Sequence, residues 1–128
     1  MTGLKACERN KIKMETLNLE QVKPTFDYLL GNWIDAAHAY VEYRESIQQD
    51  CIASVSGLNE KLNSALVLRG TMNFCKGKVA GYLVCLQKLI SEDDYQFLQR
   101  NYQSVVEDVH EWLDRVPDFG VLGQLDCE

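Results

Sequence analysis

From Pro24 onward, apolar residues recur at steps of three and four. Phe26, Leu29, Leu30, Trp33, Ala37, Tyr40, Val41, Ile47, Cys51 and Val55 share one face of a helix at that spacing. Pro24 suits the first turn of such a helix, because its missing N–H has no partner there anyway. Asn18 and Gln21 form a weaker capping pattern upstream, but Pro24 limits a helix starting from it. Gly31 costs this helix about 1 kcal/mol relative to alanine, which points to a bend or a close neighbour.

Ser56-Gly57 is the best internal break. Gly57 is suited to ending one helix, and Ser56 or Asn59 to capping the next. The apolar period continues across it through Leu58, Leu62, Ala65 or Leu66, Met72, Val79, Leu83, Leu86 and Ile90. The pattern fits two helices folded as a hairpin, or one helix over 25–90 spanning roughly 100 Å. Such a rod could not bury its own stripe, so a break or strong kink near Gly57 is favoured. Ser91 opens the last helix as N-cap, with Glu92, Asp93 and Asp94 complementing the exposed amides and the helix dipole. Tyr95, Leu98, Tyr102, Val105, Val106, Val109, Trp112, Leu113 and Val116 form its stripe, and Pro117 ends it. No segment alternates with period two. The expectation is an all-α helical bundle or hairpin with helices over about 24–55, 58–90 and 92–116. An irregular N-terminal arm (1–17) precedes a single helical domain (18–116), and a C-terminal tail (117–128) follows.

The 128 residues suffice for one modest core, and 46% hydrophobic with 25% charged is ordinary globular composition. No run approaches a membrane span, and the N-terminus lacks the apolar core of a secretory signal. The net charge of −6 is uneven: +2 over residues 1–25, zero over 26–90 and −8 over 91–128. Direct nucleic-acid binding is disfavoured, because phosphate neutralisation needs a basic face. The acidic end instead suits a basic protein surface. Cys7, Cys51, Cys75, Cys85 and Cys127 are odd in number and contain no CxxC pair. They read as reduced thiols, some of them core filler, in a cytoplasmic protein.

The stretch Arg69–Gly81, RGTMNFCKGKVAG, raises the question of a phosphate loop. That loop needs GxxxxGK followed by Ser or Thr. Here six residues separate Gly70 from Gly77, and Val79 follows Lys78. A helical reading fits better: Gly70, Gly77 and Gly81 lie on one side of a helix, with Leu68, Met72, Val79, Leu83 and Leu86 as apolar surface beside them. Three glycines cost a soluble helix roughly 2–3 kcal/mol. Close approach of another helix is the candidate offset, which makes the three a candidate packing interface; the bland alternative is that Gly70 kinks or ends the helix.

Other chemistry is thin. Asp118-Phe119-Gly120 matches a kinase metal triplet, but a kinase needs far more chain. His110-Glu111-Trp112 lacks the second histidine of a zinc helix, and His38 reads as a packed or edge histidine. A Cys75 or Cys85 nucleophile with His110 is the least poor enzyme reading, and no local pattern supports it. Glu107, Asp108, Glu111 and Asp114 fall at helical spacing and form a candidate acidic partner-binding face, against the ordinary reading of a solvated surface. Tyr95, Phe97, Tyr102 and Trp112 lie among the acids as possible interface anchors or as core.

Residues 58–90, with Leu68-Arg69-Gly70 and the Leu86–Ile90 end, resemble a long-helix pattern in small helical proteins of tailed bacteriophages. The resemblance covers about a quarter of the chain. It implies a virion, assembly or host-directed factor without enzymatic activity and carries over no functional residue. Gly77, Gly81 and the acidic last helix depart from that pattern.

The sequence thus points to a non-enzymatic helical assembly or interaction protein, viral in type, that self-associates through helix packing. The alternative is a small acidic inhibitor or adaptor that occupies a basic, nucleic-acid-binding surface of a host protein. Neither reading calls for a cofactor, a metal or a membrane, and the expected location is the host cytoplasm or the virion.

Overall fold

The computed structural model of the chain describes residues 17–49 and 54–116. They form three helices and no strand: α1 (Leu19–Gln49), α2 (Val55–Leu86) and α3 (Glu92–Leu113). The all-α bundle is therefore as expected. Of the expected arm only Leu17 is described; the rest of the arm, residues 50–53 and the tail from Pro117 lie outside the described residues.

α1 starts five residues before Pro24. Asn18 and Gln21 cap it reciprocally: the Asn18 N–H donates to Gln21 Oε1 at 2.9 Å, and the Gln21 N–H to Asn18 Oδ1 at 3.0 Å. This capping box satisfies two amides and nucleates the first turn, so Pro24 is carried inside the helix instead of opening it. Among the described residues nothing lies within 4 Å of a Cβ built on Gly31, so none of them needs the space there.

α2 starts at Val55, upstream of the expected break. Ser54 is its N-cap, in extended conformation, and its Oγ accepts from the Gly57 N–H at 3.0 Å. Gly57 therefore belongs to the first helical turn. The helix continues through Gly70, Gly77 and Gly81, so Gly70 does not end it. It closes at Leu86, where the Leu86 carbonyl accepts from the N–H groups of Leu89 and Ile90. Ser91 then caps α3 as the sequence indicates, its Oγ accepting from the Asp94 N–H at 3.2 Å. α3 finishes at Leu113, three residues before the expected end.

α1 and α2 run antiparallel. The Tyr82 hydroxyl, late in α2, donates to the Val22 carbonyl, early in α1, at 3.3 Å, and the Leu17 N–H donates to the Leu89 carbonyl at 3.1 Å. α3 runs parallel to α1, since Trp33 meets Tyr102 and His38 meets Trp112. The core takes Phe26, Trp33, Ala37, Tyr40, Val41 and Ile47 from α1, Ala65, Met72, Val79, Leu83 and Leu86 from α2, and Leu98 and Val109 from α3. Arg44 is also in the core, only 1% exposed, and its guanidinium donates to the Tyr40 hydroxyl. Its position between Tyr40 and Ile47 on the apolar stripe is the sequence signal for that burial.

Candidate functional site

α2 is apolar on two opposite sides. Ala65, Met72, Val79, Leu83 and Leu86 face the core, while Leu66, Val67, Phe74 and Val84 point to solvent. Their exposure runs from 50% at Leu66 to 68% at Val67, and Val55 at the start of the helix reaches 74%. These exposed apolar side chains give the helix a second apolar side, apart from the one that faces the core.

The three glycines lie on this outer side. Gly70, Gly77 and Gly81 are all exposed, and a Cβ built on any of them meets nothing within 4 Å among the described residues. At about 100° per residue, Leu66, Phe74, Gly77, Gly81 and Val84 fall within about 40° of Gly70. The expected clustering of the glycines is present, but their neighbours differ from expectation. Met72, Val79, Leu83 and Leu86 point to the core, and Leu68 is half-buried against it. The exposed residues Leu66, Val67, Phe74 and Val84 border the glycines instead. Lys78 lies over the exposed Phe74 ring, its Nζ 4.7 Å from the centroid.

The acidic face of α3 is also solvent-facing. Glu107, Asp108, Glu111 and Asp114 are exposed, and at helical spacing they occupy one arc of about 120°. No cation pairs with any of the four among the described residues; the one salt bridge there joins Lys23 to Asp27 at 2.6 Å. The aromatics among these acids mostly turn inward. Tyr95, Tyr102 and Trp112 pack against the core, and Phe97 is partly exposed.

His38 is exposed and rests on Trp112, ring centroids 4.1 Å apart, which is the edge-histidine arrangement. Cys75 is half-buried against the core and Cys85 is exposed at the end of α2, both as free thiols. His110 is exposed on α3. Among the described residues, no three His, Cys, Asp or Glu side chains are grouped to hold a metal ion, and no helix is long and apolar enough to cross a membrane. No family model, curated protein or solved structure matches the chain.

Proposed function

We propose that the chain is a non-enzymatic interaction protein of the assembly type, acting through helix packing at the outer face of α2. The observation that carries this reading is the apolar, glycine-bearing face opposite the core. The glycines weaken the helix by roughly 2–3 kcal/mol, and no element of the described chain uses the space they leave. A partner that approaches the backbone closely supplies a reason for them. The resemblance of residues 58–90 to small phage proteins supports a viral setting, in a virion or in a host cell. The test is self-association in solution: Gly77→Leu and Gly81→Leu each weaken it. If both variants associate as the parent does, the outer face of α2 is not the interface.

A second reading, an acidic inhibitor or adaptor for a basic host protein, is favoured by the exposed carboxylates of Glu107, Asp108, Glu111 and Asp114, which form no salt bridge among the described residues. Exposed carboxylates that form no salt bridge among the described residues keep their field available to a basic partner. Binding of that kind is salt-sensitive and is lost on reversing those four charges. Indifference to both changes removes this reading.

A further inference from the structure

We infer that the outer face of α2 takes a second copy of the same helix, antiparallel, with a two-fold axis passing beside Gly70. This rests on the reading of that face as an interface, and it adds the partner and the register.

The sequence of the face is complementary to its own reverse about Gly70. A two-fold axis at residue 70 places position 70 − n of one copy at the height of 70 + n of the other. Asn63 then faces Gly77, and Asn59 faces Gly81. Each pair sets a polar side chain of moderate size against a residue with none. Leu66 faces Phe74, so the two largest apolar side chains near the centre meet each other. Val55 comes within one residue of Val84 at the ends of the contact. At about 1.5 Å per residue the matched stretch is about 44 Å long. Gly70 lies at the axis, where the two backbones come closest and a side chain would hold them apart.

Charge selects the same register. Glu60 and Lys78 are both exposed and lie on the same rim of the face, about 80° from Gly70 at helical spacing. In an antiparallel pair related by a perpendicular two-fold, like rims are adjacent. Glu60 of one copy then lies within two residues of the height of Lys78 in the other, and the pair occurs twice. In a parallel, in-register pair these residues would be about 27 Å apart along the axis, so the complementarity would be lost. On the opposite rim the two Arg69 side chains come near each other, but both residues are exposed, so solvent and salt screen their repulsion. α1 and α3 lie on the far side of α2, and no described residue obstructs the approach.

The test uses the full chain in sedimentation equilibrium with Glu60→Lys and Lys78→Glu. Both sites are exposed and outside the core, so the fold is retained. Each variant alone places like charges together twice and weakens self-association on the order of tenfold. An equimolar mixture of the two restores both attractive pairs in one heterodimer and returns association to within about twofold of the parent. Association of the parent that ignores either reversal, or reversals that mixing does not repair, overturns the antiparallel register and leaves the outer face of α2 standing as an interface. A parent chain that stays monomeric overturns both.

Discussion

Trp33 of α1 packs against Tyr102 of α3 with ring centroids 5.6 Å apart and planes inclined by 33°. Lys76 of α2 completes the cluster, its Nζ 5.8 Å from the Trp33 ring centroid. All three helices thus meet at one indole that is 1% exposed. The indole Nε1 is buried with no hydrogen-bond partner among the described residues. Truncation and conservative replacement should therefore differ widely. Trp33→Ala leaves a large void and is expected to cost roughly 3–5 kcal/mol. Trp33→Phe keeps most of the apolar contact and removes an unsatisfied donor, so it costs much less. Urea unfolding of both variants checks the difference; equal losses would contradict it.

Burial pushes the Tyr102 hydroxyl above the ordinary tyrosine value of 10.0 by desolvating its phenolate. The folded state therefore holds this proton more tightly than the unfolded chain does. The contribution to stability is fully present below pH 10.0 and is lost as pH rises through the higher folded value. Tyr102→Phe removes this part of the alkaline dependence, so its unfolding free energy falls less steeply above pH 10.0 than that of the parent. Parallel curves for the two proteins would contradict this.

The helices differ in how much of them the sequence reveals. α3 has one apolar stripe, a serine cap and three acids in its first turn, and its start is read to the residue. α1 shows its stripe clearly, but Pro24 masks a start that the Asn18–Gln21 pair sets further upstream. Arg44 is hidden in that stripe because a charged residue at a core position reads as a gap. α2 is the least legible. Periodicity fixes which way a helix faces only when one side is apolar, and here both sides are. Ala65 rather than Leu66 faces the core, and the glycines lie opposite Met72 and Val79 instead of beside them. No local pattern carries that choice, since it is made when α1 and α3 pack on one side.

The exposed glycines separate folding from association. A Cβ at Gly77 meets nothing within 4 Å among the described residues, and the backbone there is helical with no positive φ. Gly77→Ala should therefore stabilise the helix by about 0.5–1 kcal/mol. Gly77→Leu fits the isolated chain equally well but blocks close approach of a partner helix. Thermal unfolding at low concentration and mass at high concentration check the two effects separately. A Gly77→Leu chain that unfolds at low concentration would locate the fault in the fold.

The cap on α3 is similarly local. Ser91→Ala removes the acceptor for the Asp94 N–H and should cost about 1 kcal/mol. Because Ser91 is exposed and distant in sequence from the outer face of α2, self-association of the folded chain should not change. Denaturant unfolding gives the first quantity and light scattering the second.

Self-association through α2 is decided by the mass of the parent chain in solution. Light scattering across a concentration series should show a mass rising above the 14.6 kDa of one chain toward a defined oligomer, with Gly77→Leu and Gly81→Leu shifting the rise to higher concentration. A constant 14.6 kDa at every concentration would contradict the proposal and turn attention to the acidic face of α3.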